Sequence, residues 1–228
     1  MADVRVPPQR LAVYKRLSTF VPEVFFLCLV GVVIGGVVIL GLQMAAPFHE
    51  GTDIDLSLWS LPKYTLLSMG RGFAAYALSL VFTLVCGTLA AHNKRAERFL
   101  IPTLDVLQAI PVLGFLPGLV LALITLFPGR QFGLELACII MIFTGQVWNM
   151  TFSYHASVRN IPQALRDVAA IHRLSGWRAF RLLEVPAATI GLVWNSMMSM
   201  AGGWFFLTVT EAFTLGTRDF RLPGLGSY

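Results

Sequence analysis

Long apolar stretches alternate with short polar segments along the whole chain. Five stretches are long enough, or nearly long enough, to be membrane helices, at approximately 24–46, 65–91, 103–127, 134–154 and 188–212. A helix needs about 20 mostly apolar residues to cross the hydrocarbon core of a bilayer. Soluble core helices rarely recur at this length, so the pattern predicts an all-α integral membrane protein with five transmembrane helices.

The composition agrees with a membrane protein. Of the 228 residues, 56% are hydrophobic and 13% are charged, and the mean hydropathy is +0.72. These values exclude a disordered chain and are high for a soluble domain. Basic residues precede the first apolar stretch, as in a signal peptide, but the stretch is too long for one and four more follow. We therefore interpret it as a membrane helix.

Basic residues are concentrated in alternate segments between the apolar stretches. The segments before the first stretch, between the second and third, and between the fourth and fifth hold 12 of the 17 lysines and arginines. This positive-inside pattern predicts a multi-pass membrane protein with a cytoplasmic N-terminus and external segments at 47–62 and 214–228. The formal charge of +5 therefore marks which segments of this membrane-embedded chain face the cytoplasm. It gives little support for a nucleic-acid partner.

Catalytic motifs are absent from the sequence. It has no GxxxxGK[ST] loop to hold phosphates, and no GxSxG, HExxH or paired CxxC motif. Its three cysteines are dispersed in apolar stretches and its four histidines have no ligand spacing, so we predict no metal site and no catalytic residue. The chain is not expected to be an enzyme.

Polar side chains inside the apolar stretches are the candidates for a translocation pathway. Charges there are costly and usually face the bundle interior or water. Asp105 and Glu135 lie near predicted helix ends, which favours an interfacial position for both. Hydrogen bonding between helices is an equally good explanation for the uncharged ones. The charged and amide residues at these depths are Arg71, Asp105, Gln108, Glu135, Gln146, Asn149, Asn195 and Glu211. The pathway candidates are Asn149, Asn195, Ser196 and Ser199, with Gly202 and Gly203 allowing close packing beside them.

Two prolines interrupt the third apolar stretch. Pro111 and Pro117 would each kink or break a helix, because proline lacks an N–H and its ring clashes with the preceding turn. A simple packing kink and a functional break are both compatible with this pattern.

The longest hydrophilic part of the second half runs from Arg159 to Pro186. Apolar residues at helical spacing predict a short amphipathic helix over 161–174, with Asn160 as a cap and Pro162 in its first turn. Ser175 and Gly176 end this helix.

A second helix is expected to start near Trp177 and to end at Pro186 before the membrane. A basic amphipathic hairpin of this kind could lie on anionic lipid. Asp167 and Glu184 favour a protein groove instead, because anionic lipid would not select acidic residues.

This segment resembles the EAA loop of ABC importer permeases. Asp167, Val168 and Ala169 stand at the Glu-Ala-Ala positions, and Pro186 stands at the terminal proline. Arg173 occupies the usual glycine position, which leaves the loop conformation open.

Three further blocks extend the resemblance over residues 65–228. The blocks LIPTLDVLQAIPVLGFLP, IFTGQVWNMTF and LVWNSMMSMAGGWFFLTVTEAF are similar to nitrate/sulfonate/bicarbonate-type permeases. They are most similar to the N-terminal half of permeases in which two units are fused in one chain.

The resemblance implies a type I ABC importer permease core that lies in the bacterial inner membrane and transports a small anion. It implies a cytoplasmic ABC ATPase dimer that binds ATP and Mg²⁺, an external substrate-binding protein and a second permease unit, either a fused half, a homologue or a copy. This chain itself is expected to bind no cofactor. The family core has a sixth helix after the LPGLGSY turn, which we expect to be absent from this chain, either because the chain is a fragment or because it is one half of a split fused permease. The implied ATPase-coupling residues are Ile161, Pro162, Leu165, Arg166, Asp167, Val168, Ala169, Arg173, Trp177 and Pro186.

Two other classes of function stay open from the residues alone, an ATP-independent secondary transporter and a non-transporting membrane assembly subunit. The expected organisation is a cytoplasmic basic tail at 1–22, a first helix with its external loop at 23–64, and a permease core at 65–228. The cytoplasmic EAA-type loop of this core would occupy 155–187.

Overall fold

A computed structural model of the chain describes residues 27–28, 30–47, 54–215 and 218–228. The predicted basic tail at 1–22 and part of the 47–62 loop lie outside the described residues. The described part is almost entirely helical, as predicted.

Eight α-helices and one short hairpin make up the described chain. Between α7 and α8 the chain forms a π-helical turn, Phe180–Glu184. The helices are α1 (Val30–Met44), α2 (Leu61–His92), α3 (Lys94–Ala109), α4 (Val112–Leu126), α5 (Phe132–Arg159), α6 (Gln163–Ile171), α7 (Trp177–Ala179) and α8 (Val185–Glu211). Strands β1 (Ala212–Leu215) and β2 (Arg218–Arg221) pair antiparallel, an element that the all-α prediction did not include.

Several of these helices suit a membrane. Within the described residues, α2 and α5 are each long and apolar enough to span one, and α3 with α4 qualifies as a third, bent span. The other two predicted stretches correspond to α1, which is a shorter apolar helix, and to α8, which has 27 residues. An integral membrane protein is therefore confirmed, and the count of five spans stays a prediction.

The third predicted stretch is not one straight helix. α3 and α4 meet at 94° across Ile110 and Pro111. Ile110 is extended (φ −74°, ψ 126°), as expected for a residue before proline. Pro117 lies inside α4 without ending it, so Pro111 is the one of these two prolines that interrupts the helix.

The long helices α2, α5 and α8 form the centre of the bundle, and α4 packs on α5. Small and apolar side chains fill this core, including the fully buried Ala75, Ala137, Met141 and Leu207. Helix α1 contacts α2 at a glycine: a Cβ atom on Gly36 would come within 2.8 Å of a backbone oxygen of α2. Close helix approach through small residues is typical of membrane proteins.

Helices α2 and α5 run in the same direction, and α3 with α4 connects their opposite ends. Near the N-terminal ends, Arg71 of α2 pairs with Glu135 of α5. Near the C-terminal ends, the hydroxyls of Thr88 and Tyr154 are 3.0 Å apart. The start of α3 lies beside the end of α5, where Glu97 approaches the end of that helix. The break at Pro111 therefore lies between the two ends of the bundle.

Candidate functional site

The hydrophilic segment of residues 160–184 follows α5 at one end of the bundle. Its first helix, α6, is shorter than the predicted 161–174. Pro162 is the N-cap of α6 and makes no side-chain cap, whereas Asn160 is the C-cap of α5. The expectation that Asn160 starts α6 is therefore wrong, because its backbone N–H still bonds to the last turn of α5.

Arg166 fastens α6 to the end of α5. Its guanidinium donates hydrogen bonds to the carbonyl oxygens of Val158 (3.0 Å), Arg159 (3.2 Å) and Ile161 (3.2 Å). Carbonyl groups at a helix C-terminus lack intrahelical donors, and the helix dipole favours a cation there. Arg166 thus holds α6 at a fixed position relative to the membrane helix that precedes it.

The end of α6 explains the residue at the glycine position of the EAA pattern. The N–H of Leu174 donates to the carbonyl of Ala169 at 2.8 Å, and the N–H of Arg173 donates to that of Ala170 at 3.0 Å. These two bonds form a Schellman motif, whose penultimate position takes a left-handed residue and is usually glycine. Arg173 has φ 52°, so it adopts the conformation that glycine would provide.

Helix α6 leaves an apolar face uncovered. The side chains of Leu165, Val168 and Ile171 are 48%, 50% and 78% exposed, whereas Ile161 and Ala169 are buried. Apolar residues exposed together on a short helix are typical of a surface that binds a protein partner.

Asp167 lies at the edge of this face. It is exposed, and its Oδ1 accepts a hydrogen bond from Gln163 Nε2 at 2.9 Å. Its other carboxylate oxygen has no recorded partner among the described residues. A carboxylate in this position can make a polar contact at the rim of an interface.

The second half of the segment leads directly into α8. Gly176, with φ 53°, makes the turn into α7, where the exposed Trp177 stacks on Phe180 at 5.0 Å between ring centroids. The prediction that Pro186 ends this helix is wrong, because Pro186 lies in the first turn of α8. The wider π-helical turn before it accommodates a residue that cannot donate a backbone hydrogen bond.

A contact between His92 and Glu184 joins the end of α2 to the π-helical turn before α8. His92 Nε2 is 2.9 Å from Glu184 Oε1, and His92 Nδ1 is 2.9 Å from the carbonyl oxygen of Thr88. A cavity of about 280 Å³, lined in part by His92, Arg159, Arg166 and Glu184, lies beside this pair. Sequence analysis missed the pair, although both residues stand at ends of apolar stretches on the side predicted to be cytoplasmic.

The structure brings three of the four polar pathway candidates onto one side of α8. Ser196 Oγ accepts a hydrogen bond from Tyr76 of α2 at 3.0 Å, and Asn195 Nδ2 donates to the carbonyl of Gly191 at 3.0 Å. Ser199 is buried, and its hydroxyl has no partner among the described residues. Asn149 is exposed on a different surface of α5 and does not join them.

The two glycines beside these candidates differ. A Cβ atom on Gly203 would lie 2.4 Å from the side-chain nitrogen of Gln146, so close packing between α5 and α8 depends on this glycine. Gly202 is exposed, and a Cβ there would come no nearer than 3.8 Å to the carbonyl oxygen of Gly145. A side chain is thus excluded more strongly at Gly203 than at Gly202, where a Cβ would make an ordinary van der Waals contact.

A fully buried charge cluster lies near the opposite end of the bundle. The guanidinium of Arg71 makes two hydrogen bonds to Glu135, at 2.6 and 2.7 Å, and one to Glu211 at 2.7 Å. Glu211 also accepts from the hydroxyl of Ser68 and from the backbone N–H of Gly226, both at 2.6 Å. These contacts join α2, α5, α8 and the C-terminal turn.

The sequence analysis expected Glu135 at the membrane interface because it lies near a helix end, and the structure shows that its side chain is enclosed within the bundle. Its side chain is completely buried, because Arg71 of the neighbouring helix supplies a bidentate partner. The signal that could have revealed this pairing is the presence of opposite charges in separate spans, each near the predicted external end.

Comparison with known proteins identifies the fold and family. Residues 79–222 match the family described as binding-protein-dependent transport system inner membrane component. The chain belongs to this family. Its members are membrane permease components of ABC transporters with the type I permease fold and are not themselves enzymes.

Individual relatives are permeases of similar systems. A bicarbonate transport system permease protein, CmpB, from Synechocystis sp. is 26% identical over 67% of this chain and 54% of its own length. A nitrate import permease protein, NrtB, from Leptolyngbya laminosa is 25% identical over 75% of this chain and 57% of its own length. A probable ABC transporter permease protein from Haemophilus influenzae is 30% identical over 58% of this chain and 49% of its own length. The chain thus spans little more than half the length of the first two.

Proposed function

We propose that this chain is a transmembrane permease subunit of an ATP-driven, binding-protein-dependent importer. In this proposal the 160–184 segment binds a cytoplasmic ABC ATPase dimer, which holds ATP and Mg²⁺. A second permease unit completes the pathway, and an external binding protein delivers the substrate. The N-terminus and the 160–184 segment are cytoplasmic.

The observation that carries the proposal is the uncovered apolar face of α6 on a firmly attached helix. Leu165, Val168 and Ile171 need a partner surface, and Arg166 anchors the helix that bears them. A displacement of α6 by the ATPase would therefore reach α5 through Arg166 and α8 through the π-helical turn. The residues of the EAA resemblance lie in α6, in the segment that joins it to α8 and in the first turn of α8. Among them, Arg173 has the backbone conformation of a glycine.

A small anion is the proposed substrate. The names of the relatives, which transport bicarbonate and nitrate, support this class. On α8, Asn195 and Ser196 are partly exposed, uncharged hydrogen-bonding groups, which can contact an anion without trapping it, whereas Ser199 is buried in this chain. Asn195→Leu should lower nitrate or bicarbonate uptake while the complex still assembles, and unchanged uptake would limit Asn195 to a packing role.

The decisive experiment reverses the charge of Asp167. Asp167→Lys should leave the protein in the membrane, reduce copurification of the ATPase and abolish uptake. A buried, hydrogen-bonded charge contact broken on one side costs about 2–5 kcal/mol of binding, whereas an exposed rim contact costs far less. The measurement is the amount of ATPase retained per permease after affinity purification, together with uptake in cells.

Asp219→Lys is the matched control, since it reverses an exposed acid on β2 at the other end of the molecule. It should retain ATPase normally. The lipid-surface alternative predicts the opposite ranking, with loss of arginines dominant and Asp167→Lys neutral. Normal transport in Asp167→Lys would exclude the ATPase-coupling role, and absence of any copurifying ATPase with the unmodified chain would favour the ATP-independent functions.

A further inference from the structure

One side of helix α3 carries polar side chains toward both ends, with the apolar Ile101 between them, and these polar residues are called the stripe below. Lys94, Arg98, Asp105 and Gln108 recur at intervals of three, four or seven residues, which places them on one side of an α-helix. Phe99 and Val106 lie on a different side and are 71% and 66% exposed. Leu104 is the one buried residue of α3, so both sides of the helix are uncovered in this chain.

The stripe rises from one end of the bundle to its middle. The start of α3 is at the α6 end, where Glu97 Oε1 lies 3.4 Å from His155 Nε2 near the end of α5. Asp105 comes about 16 Å further along the helix, at about 1.5 Å per residue. Just beyond it, Ile110 lines a cavity of about 290 Å³ together with Phe82 and Trp148, which stand well inside α2 and α5.

The sequence analysis favoured an interfacial position for Asp105, but its carboxylate is exposed at this depth, with no cation beside it among the described residues. Its recorded partner is Gln108, whose Nε2 donates to Oδ1 at 3.1 Å, and among the described residues no basic side chain forms an ion pair with it. A charged group in hydrocarbon is costly, and such residues face a bundle interior or a water-filled cavity. Irregular backbone such as the break at Pro111 is subject to the same constraint.

We propose that the stripe of Lys94, Arg98, Asp105 and Gln108 lines a water-filled route that opens toward the cytoplasm. This inference rests on the proposed permease function, because a second permease unit would provide the opposite wall. The face with Phe99 and Val106 then contacts lipid. The order of charges gives the route a direction: the carboxylate lies deepest, and the two cations lie toward the cytoplasmic mouth.

This order suits the release of an anion. An anion beyond Asp105 is repelled by the carboxylate behind it and attracted by Arg98 and Lys94 ahead of it. A wall of this kind does not retain its substrate, so affinity can remain with the external binding protein. In this proposal the charge of Asp105 favours movement of the anion toward the cytoplasmic mouth.

Single-cysteine labelling tests the position of the stripe. In a parent with Cys28, Cys86 and Cys138 replaced by alanine, inside-out vesicles are treated with a membrane-impermeant, negatively charged methanethiosulfonate reagent. Asp105→Cys and Gln108→Cys should react, and Val106→Cys should not. Val106 is the matched control, because it is adjacent to Asp105 and also strongly exposed in this chain.

A second measurement tests the charge of Asp105 without needing the natural substrate. Reaction rates of Gln108→Cys with negatively and positively charged reagents are compared with and without Asp105→Asn. Charges about 6 Å apart in water change a local concentration about threefold. Removing the carboxylate should therefore raise the rate of the negative reagent about threefold and lower that of the positive one similarly.

The outcomes separate this inference from the proposed function. Equal labelling at positions 105 and 106 would contradict the water-filled route even if the ATPase copurifies. So would a ratio of negative-reagent to positive-reagent rates at position 108 that Asp105→Asn leaves unchanged. Labelling of the stripe without any bound ATPase would keep the water-filled route and overturn the ATP-driven importer. Labelling at positions 105 and 108 but not at 106, in preparations that retain the ATPase, supports both the water-filled route and the ATP-driven importer.

Discussion

At the scale of single residues, Arg173 is the clearest case of a side chain at odds with its backbone. A left-handed conformation destabilises the folded state by roughly 1–2 kcal/mol for a non-glycine residue. Glycine removes this strain, but its greater freedom also stabilises the unfolded chain and offsets part of the gain. Arg173→Gly should therefore raise stability by about 0.5–1 kcal/mol. The measurement is the midpoint of thermal unfolding of the purified protein, which should rise by a few degrees.

The neighbouring residue provides the control. His172 has φ −79°, which suits an ordinary residue, so His172→Gly gains nothing in the folded state and adds freedom to the unfolded chain. Its unfolding midpoint should fall. If both variants shifted the midpoint in the same direction, the left-handed strain at Arg173 would not limit stability.

The residue scale also shows what sequence could and could not predict about the site. Asp167, Val168 and Ala169 were placed by the motif, and the structure puts them on one short helix. The conformation of Arg173 was open, because its side chain gives no hint of a left-handed backbone. The contact of Arg166 with the end of α5 was also out of reach, since it depends on where α6 folds back.

At the scale of elements, the attachment of α6 to α5 is the contact most directly open to test. Arg166→Ala removes three hydrogen bonds to carbonyl groups and the favourable charge at the end of α5. Helix α6 should still form but lose its fixed position. We expect ATPase to remain bound at least in part, while substrate-stimulated ATP hydrolysis and uptake fall together by tenfold or more.

Arg178→Ala is the matched control for this effect, because Arg178 is an exposed arginine of the same segment. It should leave uptake within about twofold of normal. Normal coupling in Arg166→Ala would mean that the connection through the π-helical turn alone transmits the movement of α6.

The hydrophobic pattern predicts the long apolar helices. It does not predict elements that depend on local backbone geometry. The apolar stretches correspond to helices, and Pro111 breaks the chain where a missing N–H and the preceding residue disfavour helix. The π-helical turn before Pro186 and the β-hairpin after α8 have no periodic signature. Pro186 in particular is predicted from the sequence to end a helix, because sequence alone cannot show that a π-helical turn precedes it.

At the scale of the whole molecule, the sequence could show that charges occur within the spans but not how they pair. Arg71, Glu135 and Glu211 are separated by 64 to 140 residues, and only the packing of α2, α5 and α8 brings them into one cluster. The sequence analysis explained Glu135 by its position near a helix end and could not show that Arg71 is its partner inside the bundle. Each charge would be prohibitively costly alone, so the three are meaningful only as a unit.

The final prediction asks whether this cluster holds the bundle together or takes part in transport. Arg71→Met leaves two buried carboxylates without a cation and should cost about 3–5 kcal/mol, seen as loss of folded protein or a strongly lowered unfolding midpoint. Arg221→Met, which removes a surface partner of Asp219, should cost less than about 1 kcal/mol.

The triple variant Arg71→Met with Glu135→Met and Glu211→Gln decides between the two roles. The amide at position 211 keeps hydrogen bonds to Ser68 and Gly226 within reach, and methionine at position 135 leaves no buried polar group without its Arg71 partner, so folding should largely recover. If uptake recovers with it, the cluster is a structural clamp on the C-terminal turn. A folded triple variant without uptake would instead require the charges themselves in transport, because the bundle would then be intact around an inactive pathway.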